Sequence, residues 1–169
     1  MRYTPRKVNS REIDGQLYET LEPLIKGMKM SLIELNVFRQ KARGRSQGSI
    51  QVKVTVYREG VTGLDDCSRV HRAILPRLEL CFSGQDVYLE VSSPGIDRNI
   101  KDGCEFAHYI GQGVRCYCTG ISDWKEGVLC AADEEKITLR SDTGMYTLPY
   151  EEIAKARLNA AINKLGKEE

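Results

Sequence analysis

The sequence predicts an α+β fold: an N-terminal α-β-β-α-β domain over residues 1–94, then a small all-β barrel domain over residues 95–169. Along the first half, apolar spacing switches between helical steps of three and four and strict alternation. After Pro94-Gly95 the apolar runs become short, alternating and separated by glycine-rich or acidic turns. Charge divides at the same place. Residues 1–94 carry 15 Lys and Arg against 11 Asp and Glu, a net of +4, and residues 95–169 carry 10 against 13, a net of −3.

The first helix is announced by Asn9 with Glu12 three residues later, a capping-box spacing. Ile13, Leu17, Leu21, Leu24 and Met28 then form one apolar stripe, interrupted by Pro23 and closed near Gly27. From Ser31 the period becomes two. Ile33, Leu35 and Val37 alternate with polar residues, as do Ile50, Val52, Val54 and Val56, so these runs predict two strands of a hairpin joined through Arg39 to Gly48. Thr62 and Asp65 open a second helix with Leu64, Cys67, Val70, His71, Ile74 and Leu78 on its apolar face. Pro76 is expected to kink or end it, because proline lacks an amide donor and clashes with the preceding turn. A strand over Val87 to Val91 completes the half, with the helices on one side of a small sheet.

Beyond Pro94-Gly95, Val114, Cys116 and Cys118 alternate with polar residues. Further short strands are expected around Val128 to Ala132, Ile137 to Arg140 and Met145 to Leu148. Such evenly spaced short strands suit a closed barrel, which removes exposed sheet edges. The segment Glu151 to Ile162 has helix-forming composition, yet Ile153 to Leu158 is also the one candidate left for a closing strand.

With 41% hydrophobic and 29% charged residues and a net charge of +1, the composition is that of an ordinary globular protein. No apolar run approaches a membrane span and the start, Met1-Arg2-Tyr3-Thr4-Pro5-Arg6-Lys7, is not a leader, so a cytoplasmic protein is expected. Cys67, Cys81, Cys104, Cys116, Cys118 and Cys130 contain no C-x-x-C pair. They read as reduced structural thiols with no metal and no cofactor.

Two constellations stand out. Arg39, Lys41, Arg43 and Arg45 recur every second residue beside glycines, and guanidinium groups donate to phosphate as a bidentate fork. They are candidate RNA contacts, or a solvated hairpin tip. No stacking motif of the RRM type and no KH loop accompanies them, so contact with RNA without reading its sequence is expected. The second is Leu89-Glu90-Val91-Ser92-Ser93-Pro94-Gly95-Ile96-Asp97-Arg98, a strand running into a corner. Pro94 followed by Gly95 predicts a type II turn with Gly95 at positive φ. Asp97 is expected as a local cap and Arg98 as its partner or a surface contact. A catalytic arrangement of Ser93, Asp97 and His108 is disfavoured: G-x-S-x-G is absent and proline follows the serine. No catalytic residue is assigned. Asp65 and Asp66 read as first-turn acids complementing the helix dipole rather than as an ion site with Asp86. Trp124 is either core or an exposed anchor.

The corner run resembles the hallmark of the bacterial ribosome maturation factor RimP family, close to L-E-V-S-S-P-G-hydrophobic-D-R. Gly60-Val61-Thr62 with Leu64-Asp65-Asp66-Cys67, Phe106 with Gly111-Gln112-Gly113-Val114, and Pro149-Tyr150-Glu151-Glu152-Ile153 through Leu158 resemble further family segments. The resemblance implies an N-terminal α/β domain and a C-terminal Sm-like (SH3-like) barrel joined at Ser92-Ser93-Pro94-Gly95, with Ile153 to Leu158 a strand. It also implies a non-enzymatic, monomeric factor that binds the immature small ribosomal subunit, the barrel engaging a small-subunit ribosomal protein and the basic domain lying against rRNA. The other reading, a general Sm-like RNA binder acting away from ribosomes, would be expected to assemble into rings.

Overall fold

The computed structural model describes residues 1–3, 12–40, 48–59 and 62–162. The chain divides into two compact units, Val8–Pro94 on one side and Gly95–Glu169 with Met1–Lys7 on the other.

In the first unit α1 (Glu12–Gly27) is followed by β1 (Ser31–Gln40), β2 (Ser49–Tyr57), α2 (Leu64–Cys81) and β3 (Asp86–Ser92). The sheet order is β1-β2-β3, with β2 antiparallel to β1 and parallel to β3. A parallel neighbour requires a crossover, and α2 supplies it. Alternate residues of the central strand, Ile50, Val52, Val54 and Val56, are buried with Leu17, Leu21 and Ile25 of α1 and Val70, Ile74 and Leu78 of α2. The expected capping residue Asn9 lies outside the described residues. The α1 stripe turns toward Ile25, which is buried, whereas Leu24 is half-buried.

Pro76 does not end α2, which runs through it to Cys81. Ile74 before it and Leu78 after it are both fully buried, so packing holds the two turns in line. The start of α2 also differs from expectation. Buried Asp66, not Asp65, is the organising acid: its Oδ2 accepts the Gly63 N–H at 3.0 Å and meets the Arg58 guanidinium at 3.0 Å.

The second unit contains β4 (Asn99–Ile100), a 3-10 segment Gly103–Tyr109, β5 (Gly113–Cys118), β6 (Asp123–Ala132), β7 (Lys136–Ser141), β8 (Gly144–Pro149), a short 3-10 turn Tyr150–Glu152, and β9 (Ile153–Leu158). All pairings are antiparallel, in the order β4-β9-β5-β6-β7-β8. The expected closed barrel is therefore corrected: among the described residues β4 and β8 are the two edges of the sheet and no strand pairing joins them. From β8 the chain enters the 3-10 turn instead of continuing a ladder, and the first residues occupy the backbone groups there. The Met1 amino group donates to the carbonyls of Tyr150 and Ile153, and the Gly103 N–H donates to the Arg2 carbonyl at 2.8 Å. Tyr3 stacks on Tyr150 with ring centroids 5.8 Å apart. Met1 to Tyr3, assigned by sequence to the first domain, thus sit on the second sheet.

Phe106, Tyr109, Val114, Cys116, Leu129, Ile137, Leu139 and Ile153 fill the interior of this unit. Burial, with Cys118 nearby, pushes the Cys116 thiol up to about 12. That thiol stays protonated at neutral pH and is no nucleophile.

Candidate functional site

The helices cover one face of the three-stranded sheet, and Phe38 and Tyr88 stand exposed on the other. Because side chains alternate across a strand, Leu35 and Val37 of β1 and Val87 and Leu89 of β3 pack toward the helices. Phe38 and Tyr88 point the opposite way. Register places Phe38 beside Gln51 and Gln51 beside Tyr88, one row across the open face. Phe38 is 50% exposed and Tyr88 61% exposed, values a core aromatic would not have. In the next row Asn36 lies beside Lys53 and Lys53 beside Glu90, with the Lys53 ammonium 2.9 Å from the Glu90 carboxylate. Exposed aromatics standing among polar groups on a sheet give bases a surface to stack on. Sequence reading missed this pair, although its signal was present: each aromatic is out of phase with the apolar residues flanking it.

Arg39 lies opposite Ile50 at the same end of the sheet as Phe38. It is half-buried, and its guanidinium carbon sits 5.9 Å over the Phe82 ring at the end of α2. Arg39 is therefore on the helix-covered side of β1, whereas Phe38 is on the open side. Lys41, Arg43 and Arg45 lie outside the described residues. The chain leaves the sheet at Gln40 and re-enters at Ser49, which sets the two ends of that basic segment next to each other.

The corner differs from its expected form. Gly95 is not among the described glycines with positive φ, which are Gly84, Gly111 and Gly144. The turn is centred two residues later: the Arg98 N–H donates to the Gly95 carbonyl at 3.0 Å, leaving Ile96 and Asp97 as the central residues. Neither has positive φ, so no glycine is required there. Ser92, Ser93 and Asp97 are exposed, and their side chains bond to no described residue; Pro94 is half-buried. Asp97 is no cap and not the partner of Arg98. Arg98 instead turns into the second unit. Its Nε and Nη2 both lie 3.1 Å from Oε2 of buried Glu105, an acid that sequence reasoning had not singled out.

Among the described residues no three His, Cys, Asp or Glu side chains come together to hold a metal ion. Asp66 is committed to Arg58 and Gly63, and Asp86 is exposed at the start of β3. Nor is any described helix long and apolar enough to cross a membrane.

Comparison with known proteins bears on the same segments. Residues 20–97 match the model of the RimP N-terminal domain, which takes in the three-stranded sheet, α2 and the corner. Over 146 residues the chain is 25% identical to the ribosome maturation factor RimP of Borrelia turicatae (strain 91E135), covering 86% of this chain and 96% of that protein. It is 26% identical to the proteins of the same name from Borrelia hermsii (strain HS1 / DAH) and Borreliella afzelii (strain PKo), again over 86% of this chain. Over most of its length the chain is similar to the RimP family. The stretch that carried the resemblance, Leu89 to Arg98, has two structural duties in this chain. It supplies β3 of the sheet and delivers Arg98 to Glu105.

Proposed function

We propose that this protein is a ribosome maturation factor that binds the immature small ribosomal subunit in the cytoplasm and promotes its assembly without catalysing a reaction. The observation that carries the reading is its likeness, over 86% of its length, to proteins named ribosome maturation factor. A factor of this kind works by differential binding, favouring the subunit conformer for which its affinity is higher. In this reading residues 1–94 act as the RNA-facing domain. Support comes from the open sheet face with Phe38 and Tyr88, and from four cations at Arg39, Lys41, Arg43 and Arg45 that suit phosphates. Residues 95–169 act as an Sm-like domain that engages a small-subunit ribosomal protein. Exposed Asp133, Glu134, Glu135, Glu151 and Glu152 at its turns suit a basic partner. The protein acts as a monomer, in contrast to ring-forming Sm-type RNA binders.

Sucrose-gradient sedimentation of a cell lysate tests this. The protein is expected to travel with free, immature small subunits and to be absent from mature ribosomes. Co-sedimentation with mature ribosomes alone, or a ring-sized particle free of ribosomal components, would overturn it.

A further inference from the structure

The outward face of the second sheet carries a cluster that the acidic total of this half conceals. On β5 the inward residues are Val114, Cys116 and Cys118, so Arg115 and Tyr117 point outward. Register sets Arg157 of β9 directly beside Arg115, and Trp124 and Lys155 on either side of Tyr117. Like charges directly opposite on neighbouring strands are unfavourable. Here both guanidiniums gather on one indole: the guanidinium carbon of Arg115 is 4.4 Å from the Trp124 ring centroid and that of Arg157 is 5.6 Å away. Tyr117 braces the same ring edge-on at 5.5 Å. Neither arginine forms an ion pair with a described carboxylate. Glu126, the residue opposite Arg115, accepts instead from the Asn159 amide at 3.5 Å. Arg115 is half-buried and its Nε is buried without a hydrogen-bond partner, so that N–H has left water with no hydrogen bond to replace the one lost.

Two guanidiniums stand side by side, with Lys155 adjacent and no described carboxylate in ion-pair contact with either. We propose that the Arg115-Trp124-Arg157 cluster binds the phosphodiester backbone of RNA, giving this unit an RNA contact of its own. Charge complementarity selects the occupant: the planar fork of each guanidinium matches phosphate oxygens bidentately. Cation–π contact with Trp124 holds both forks in place, so less side-chain freedom is lost on binding. A basic ribosomal protein would be repelled here and would find its acids at the turns. The inference does not depend on the ribosomal assignment.

Trp124 is the single tryptophan of the chain, so the site contains its own reporter. Titrating the full-length protein with a single-stranded RNA oligonucleotide at low salt should change Trp124 emission saturably, and added salt should reverse the change. In the Arg115→Gln/Arg157→Gln variant the slope of log affinity against log salt should fall by about 1.4, as expected for two lost phosphate contacts. Arg157→Lys, which keeps the charge, should retain most of the slope. Melting curves of each variant separate loss of binding from loss of fold, and the emission of the unaltered protein needs no variant. RNA binding that leaves Trp124 emission unchanged, an unaltered salt slope in the double variant, or an emission change with poly-glutamate but not with RNA would each overturn the proposal.

Discussion

Arg98 holds Glu105 through two contacts on one carboxylate oxygen, both 3.1 Å long, with the side chains only 11% and 4% exposed. The pair sits inside the second unit and not on the surface, so the Asp97-Arg98 dipeptide is divided in role. Asp97 faces solvent while Arg98 is part of the interior.

Removing one member of this pair leaves a buried charge uncompensated. Arg98→Ala is therefore expected to lower stability by about 3–5 kcal/mol. Replacing both members by apolar residues of similar volume should recover much of that loss, because desolvation of two ions is avoided. Urea midpoints of the single and double variants check this. Equal losses from both would mean that the pair is not the source of the effect.

Gly95 and Gly127 should respond in opposite ways to alanine. A Cβ on Gly95 meets nothing within 4 Å and its backbone is ordinary. Gly95→Ala should therefore leave stability unchanged or raise it by up to about 1 kcal/mol, by restricting the unfolded chain. A Cβ on Gly127 would lie 2.6 Å from the carbonyl oxygen of Arg140, a backbone atom of the paired strand β7. Gly127→Ala should cost about 1–3 kcal/mol as the strands are forced apart. Thermal melts of the two variants compare them directly.

The contrast between these glycines marks how far the sequence was legible. Pro-Gly pointed to a turn, and a turn is there, but the hydrogen bond from Arg98 to Gly95 moved its centre onto Ile96 and Asp97. Alternation made β2, β3 and β5 readable because one face of each packs inward; in β1 it is broken by the irregularity between Leu32 and Glu34, which leaves Leu32 and Ile33 both buried. It failed at β9, where the buried residues are Ile153, Ala156 and Leu158. The register shift beside Tyr117 and Cys118 produces a spacing of three that imitates a helix. β4 is two residues long, too short to show any period. The Phe38-Gln51-Tyr88 row and the Arg115-Trp124-Arg157 cluster need cross-strand register, which lies outside any local window.

Cys116 predicts an alkaline limb of stability. Burial first, then Cys118, raises its thiol to about 12 in the folded chain, against about 8.5 for a free cysteine. The folded value exceeds the unfolded one, so this stabilisation is complete below the unfolded value and is lost as pH rises toward about 12. The contribution of this group should decline by up to about 1.4 kcal/mol per pH unit across that window. Cys116→Ala should flatten the decline of the urea midpoint above pH ~9. An unchanged slope would assign the alkaline limb to other groups, such as Tyr146, also raised to about 12.

On the first unit, aromatic and basic residues should leave different signatures in RNA binding. Stacking on Phe38 and Tyr88 involves no counterion release, and loss of a stacked base costs about 1–3 kcal/mol. Phe38→Ala and Tyr88→Ala should each weaken binding of single-stranded RNA about 5- to 150-fold, with the salt slope preserved. Replacing Arg39, Lys41, Arg43 and Arg45 together by Ser should instead flatten that slope by up to about 3, since each lost phosphate contact removes about 0.7 on a single strand. Exposure of Phe38 and Tyr88 means that their replacement should barely alter the melting temperature, which separates a binding defect from a folding one. Fluorescence anisotropy with a labelled oligonucleotide at several salt concentrations resolves both quantities in one experiment. If the aromatic variants bind as tightly as the parent while the basic variant loses slope, the open face is a bystander and RNA is held by phosphate contacts alone. If neither set alters binding, the RNA-facing reading of this unit is wrong.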